Sequence, residues 1–228
     1  MNRIGSRLAT QIPGNPFPFT FTVLAGNSSS LTNEPVALPG GPIFVPAALI
    51  LAAKDEAEFA GMLAHAMVHI SERHATRAST RGAIANQATI PVIFMGGWTG
   101  YGVRQASAVV PASALQFQRT FETEADVLAV KMMWLADFDP SALVRYIGRV
   151  QESSPGTTSR VFSPLPTREE RVSRMETEIQ KLPERTYAAP DPNEFETIQA
   201  EVRRAPIAER PQLKNDADAE RPTLRRQN

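Results

Sequence analysis

Between positions 55 and 81 the apolar residues Phe59, Met62, Leu63, Ala66 and Ile70 recur at helical spacing. Asp55 and Glu58 ahead of that stripe have the spacing of a capping box, and Glu56 adds negative charge to a first turn that favours it. Arg73, His74, Arg77 and Arg81 suit the negative end, and Gly82 can stop the helix. The pattern predicts a helix over about 55–81, with a break allowed near His74. Upstream, Phe17 to Val23 alternates apolar and polar residues apart from Pro18, which places the start of a half-buried strand at a sheet edge. Asn27 to Ser30 is a turn, Val36 to Leu38 is short and apolar, and Pro39-Gly40-Gly41 bends the chain. Ile43-Phe44-Val45 predicts a second strand, and 47–53 a short apolar helix.

Downstream, 83–110 is rich in small and apolar residues around Gly96-Gly97-Trp98-Thr99-Gly100-Tyr101-Gly102. Two readings stand: a flexible lid, or a buried connection that packs Trp98 and Tyr101. A third helix is predicted over about 112–136. Asp139 then caps another, with Pro140 at its first position. Residues 153–159 read as a loop, and Thr167 with Glu170 opens a helix that ends before Pro183. From there Pro, Arg and acidic residues dominate. The chain therefore divides into a domain over 1–182 and a tail over 183–228, extended or partly disordered and adding little to the core. No internal repeat is visible.

Composition narrows the chemistry. At 228 residues the chain can bury a real core. Lys+Arg and Asp+Glu each total 24, so neither nucleic acid nor anionic lipid is indicated as the main partner. There is no cysteine, so a metal would have to be held by His, Asp or Glu. No apolar run is long enough to span a bilayer. The start of the chain lacks the apolar core of a secretory signal and reads like the middle of a helix, so a trimmed piece of a longer protein is expected.

All three histidines lie between positions 65 and 74. His65 and His69, four apart, share one face of the strongest helix, and their ring nitrogens can converge on one tetrahedral ion. For an isolated pair of this spacing, coincidence is the better explanation. The small inner face of Gly61, Ala64 and Ala66 argues for burial, and buried imidazoles need partners. Glu122 and Asp126 supply candidates on the next long helix: Glu122 as a third ligand, and Asp126 as acceptor of a ligand histidine's other N–H. Glu124 points off that face. Alone, this acidic turn would read as solvated surface.

In order along the chain, Val36-Ala37-Leu38-Pro39-Gly40-Gly41, His65-Ala66-Met67-Val68-His69 with Arg73-His74, Glu122-Thr123-Glu124-Ala125-Asp126, and Pro164 to Val172 resemble the motifs of the M48 zinc peptidases. That family of gluzincins includes the CAAX prenyl protease, the Oma-type mitochondrial protease and bacterial envelope proteases. The resemblance covers about 4–181. It implies His65, His69 and Glu122 as ligands of one zinc ion, Asp126 as the residue orienting a histidine, and Arg171 near the site as a charge stabiliser or a helix pin. His74 matches a residue common in the family and is assigned a structural role. Two positions depart from the pattern. Ala66 stands where the family carries its general-base glutamate, and Leu165 where many members carry a histidine. Ala66 reads as a deliberate inactivating substitution or as the mark of a natural pseudo-enzyme, and the intact ligand set favours the former.

The resemblance implies an α+β, zincin-like fold, mainly helical with a small mostly antiparallel sheet. It implies a metalloendopeptidase of unfolded or misassembled protein in a bacterial periplasm or envelope, near a membrane but with no span in this chain. A peptide substrate is expected to pair with an edge strand near Ile43-Phe44-Val45. Two rivals remain: a zinc-stabilised pseudo-protease that binds peptides or partner proteins, and a plain helical domain without metal.

Overall fold

The computed structural model describes residues 1–14, 17–24, 34–81, 112–150, 166–187 and 192–204. The glycine-rich segment with Trp98 and Tyr101, the loop at 153–159 and Leu165 lie outside the described residues. The described elements, in chain order, are α1 (Asn2–Ala9), β1 (Thr20–Leu24), β2 (Val36–Ala37), β3 (Pro42–Pro46), α2 (Ala47–Ala52) and α3 (Glu56–Ser71). A helical stretch over 74–81, here α4, follows. Then come α5 (Ala112–Leu135), α6 (Ser141–Val150), α7 (Arg168–Ile179) and α8 (Pro192–Arg204). The fold is α+β and mainly helical, as the resemblance implies.

The sheet has the order β1-β3-β2 among the described strands. Mostly antiparallel pairing is the expectation, but only β2 runs antiparallel to β3, and the longer β1–β3 pair is parallel. Chain length between strands explains the difference. β2 and β3 are joined by a tight turn, in which Leu38 N–H donates to the Pro42 carbonyl at 2.9 Å. β1 is separated from both by a segment long enough to cross over. Gly41 sits at φ 120° in that turn, and a Cβ there would stand 2.5 Å from the Pro18 carbonyl oxygen, so only glycine fits. The order also corrects the expected substrate edge. Ile43-Phe44-Val45 lies in the central strand, flanked on both sides, and the free edges among the described strands belong to β1 and β2.

α3 is the axis of the core. It is hydrophobic nearly all round, and its residues from Ala57 to Val68 are all buried. Asp55 caps it by accepting from Glu58 N–H at 2.7 Å. The reciprocal half of the predicted box is diverted: the Glu58 carboxylate accepts instead from Lys54 N–H and from both terminal nitrogens of Arg149. α5 and α6 pack along α3, and Gly61 allows the approach of α6, since a Cβ there would meet Leu143 Cβ at 2.9 Å. The capping box of Thr167 and Glu170 forms as predicted, and Asp139 accepts from Ser141 N–H at 2.9 Å. Within the region read as tail, α8 packs on α2. Phe195 is buried beside Phe59, and the Gln199 amide donates to the Ile50 and Ala53 carbonyls at the end of α2.

Candidate metal centre

Two helices build the site. α3 carries His65 and His69 one turn apart, and α5 lays Glu122 across from them. His65 Nε2 lies 3.1 Å from His69 Nε2 and 3.4 Å from a Glu122 carboxylate oxygen. His69 Nε2 lies 3.6 Å from the other Glu122 oxygen. A tetrahedral ion with ligand bonds of about 2.0–2.1 Å needs ligand atoms about 3.3–3.4 Å apart. The three donors thus already stand near the spacing of three corners of such a shell, and their chemistry, two imidazoles and a carboxylate, suits zinc. The sequence-predicted set of His65, His69 and Glu122 is brought together.

Asp126, one turn beyond Glu122 on α5, places a carboxylate oxygen 3.0 Å from His65 Nδ1. The atoms are close enough for a hydrogen bond but not well aligned for one, which leaves this buried nitrogen without a well-aligned acceptor. Asp126 is itself held by Arg171 of α7 through two parallel bonds of 2.7 Å, from Nε and Nη2. Both partners are almost wholly buried. Burial alone would raise the Asp126 pKa, yet Arg171 and His65 together hold it down at about 2. Arg171 therefore faces Asp126 and does not line the cleft at the site.

Charge is shared unequally between the two histidines. Burial alone would lower both. At His65 the Asp126 and Glu122 carboxylates reverse that and raise the pKa to about 9. At His69 burial and the neighbouring positive His65 lower it to about 4. Burial alone would raise the Glu122 pKa, but the His65 hydrogen bond together with the charges of His65, His69 and Arg171 holds it below its ordinary value.

Behind His69 stands a second arrangement that the spacing alone does not reveal. Two turn residues follow α3, the second of them Arg73 at φ 54°, and α4 starts at once after it. The turn brings His74 back, so that its Nδ1 is 3.1 Å from His69 Nδ1. His74 Nε2 lies 3.2 Å from Glu124 Oε2, and Arg77 Nη1 donates to the same oxygen at 3.1 Å. The Phe121 ring stacks on His74 with centroids 4.7 Å apart, and the guanidinium groups of Arg77 and Arg81 cover Phe121. Burial lowers the His74 pKa despite Glu124. Glu124 and Phe121 are not among the sequence-predicted site residues. The signal that could have found them is the helical spacing of Phe121 and Glu124, three apart and flanking Glu122.

His65, Ala66, His69 and Glu122 open onto one cleft of about 720 Å³, with Phe17, Pro35 and Ala37 among its other lining residues. Ala66 directly follows the first histidine and presents only a methyl group there.

A family model described as peptidase family M48 matches residues 2–179. A putative beta-barrel assembly-enhancing protease of Vibrio cholerae serotype O1 is 24% identical over 160 residues, which is 67% of this chain and 32% of that protein. A beta-barrel assembly-enhancing protease of Yersinia pestis is 24% identical over 167 residues, covering 68% of this chain and 32% of its own. The protein of that name in Escherichia coli strain K12 is 22% identical over 166 residues, with the same coverage of 68% and 32%. The chain thus spans about a third of the length of the curated relatives it matches.

Proposed function

The chain belongs to peptidase family M48, and from that premise we propose that it is the catalytic domain of a zinc-dependent endopeptidase, held inactive by Ala66. The observation that carries this reading is the spacing of 3.1, 3.4 and 3.6 Å among the two Nε2 atoms and the Glu122 carboxylate. Zinc, when bound, supplies a polarised carbonyl and an activated water. The chain's own part is to hold that ion and to position a peptide. His65 and His69 present Nε2, so their Nδ1 atoms carry the protons, with Asp126 3.0 Å from the first and His74 3.1 Å from the second. The Asp126–Arg171 pair keeps the carboxylate charged at any working pH. The cleft is large enough for several residues of an extended chain, and β2 (Val36–Ala37) is the strand edge beside it.

A methyl group at position 66 can neither take a proton from attacking water nor pass one to the leaving nitrogen. Loss of a positioned general base costs about 10²–10⁴ in rate. The relatives' names, beta-barrel assembly-enhancing proteases, support a reading in which the substrates of this chain are unfolded or misassembled proteins of a bacterial envelope. A second reading, a zinc-holding protein that grips peptides without cutting them, rests on Ala66 itself. Restoring the base separates the two. Ala66→Glu, loaded with one zinc per chain, should cleave casein at least about 100-fold faster than the parent. A zinc-loaded Ala66→Glu protein as inert as the parent, yet still binding unfolded casein, establishes the second reading instead.

A further inference from the structure

We propose that His74 and Glu124 form a positioning relay that fixes the ring of His69, and that the left-handed break at Arg73 exists to deliver it. The inference rests on the metal centre proposed above. Five residues along an unbroken helix carry a side chain about 140° away from its starting direction. His74 could not then face His69. The chain turns at Arg73, where φ is 54°, a conformation that costs a non-glycine residue of this kind about 1 kcal/mol or more. In return His74 lies Nδ1 to Nδ1 with His69 at 3.1 Å, 3% exposed.

The proton positions are then consistent along the whole line. His69 offers Nε2 as a lone pair to the centre and so carries its proton on Nδ1. That proton can be accepted only if His74 Nδ1 is bare, which puts the His74 proton on Nε2. Nε2 is 3.2 Å from the Glu124 carboxylate, a natural acceptor. Arg77 anchors that carboxylate, and Phe121 stacks on the His74 ring to fix its tilt. Each ligand histidine thus has its own support: Asp126 and Arg171 behind His65, His74 and Glu124 behind His69. The Glu124 support comes from the same α5 turn that supplies Glu122, so one helix sets both the third ligand and the backing of the second.

The test compares zinc affinity, by competition with a chromophoric chelator, in the parent and in His74→Phe and His74→Asn. Phenylalanine keeps the stacking and removes the acceptor. Asparagine places an amide oxygen near the Nδ1 position and restores it. Partners of this kind are worth about 10–100-fold in metal affinity. His74→Phe should lose that much, His74→Asn should recover most of it, and the metal-free thermal transitions of all three should coincide. The relay is overturned if His74→Phe binds zinc within about twofold of the parent, or if His74→Asn is as weak as His74→Phe. It is also overturned if weakened binding tracks a lowered metal-free transition, which would mark His74 as packing only. A parent that binds no zinc at all removes the metal centre itself, an outcome distinct from any difference among the variants.

Discussion

Asp126 shows how much one side chain can be asked to do. Its carboxylate is 1% exposed, forks with Arg171 and touches His65. Removing one partner of such a pair leaves an uncompensated buried charge, at a cost of about 3–5 kcal/mol. Arg171→Met should therefore lower unfolding stability by that amount at neutral pH, read from denaturant midpoints, with no comparable loss for exposed Arg174→Met. The pH dependence follows from the depressed pKa. A carboxylate at about 2 in the folded protein against 3.8 unfolded contributes stability that is complete above the unfolded value and is lost as pH falls through the folded one. The parent's share of this stability should fade between about pH 4 and 2, and the gap should begin to narrow at higher pH than that, because burial drives the unpaired carboxylate of the variant to take up a proton. A gap that persists below this window would assign the effect to lost packing of the Arg171 stem.

At the scale of elements, α3 is buried nearly all round, and Gly61 faces Leu143 of α6 with no room for a Cβ. Gly61→Val should cost about 1–3 kcal/mol through overpacking against Leu143, measured by thermal unfolding. Parent-like stability would mean that α6 can shift away freely. Elements of this type were legible in the sequence because their signals are local. Asp55, Asp139 and Thr167 each cap the helix that their spacing predicts, and Pro39-Gly40-Gly41 makes the predicted bend. What escaped depends on distant partners. The Glu58 carboxylate left its own cap for Arg149, ninety-one residues away. Parallel pairing of β1 with β3 depends on the path of the intervening chain. α8 was hidden because Phe195, Gln199 and Val202 form a thin stripe in a charged segment, and one of the three is polar. The site divides the same way. His65, His69, Glu122 and Asp126 were readable from spacing of four on two helices, whereas for the backing of His69 the pattern allowed a break near His74 but not the left-handed turn at Arg73 that brings His74 onto His69.

Across the whole molecule, the candidate metal centre joins α3 to α5 but does not make the core. Leu63, Met67, Val130, Met133 and Leu143 are buried without reference to the three ligands, as are Leu8, Val45 and Leu49 from the sheet side. This differs from a small metal-folded domain, in which the ion supplies most of the folding free energy. Here the fold should stand without metal and gain from it by mass action alone. Free zinc at about a thousand times its dissociation constant adds about 4 kcal/mol to the folded state. For a domain of this size each kcal/mol moves the midpoint by about 2–4 °C, so zinc should raise Tm by about 8–16 °C. Stripping it with a chelator should reverse the rise while leaving far-UV circular dichroism at the low-temperature baseline unchanged. Loss of the helical signal on chelation would show that the ion folds the chain. A Tm indifferent to zinc would show that the two histidines and Glu122 hold no ion. Because the ligands lie on the two helices with the most extensive mutual packing, the expected result combines high affinity with modest structural change, as a preformed site requires.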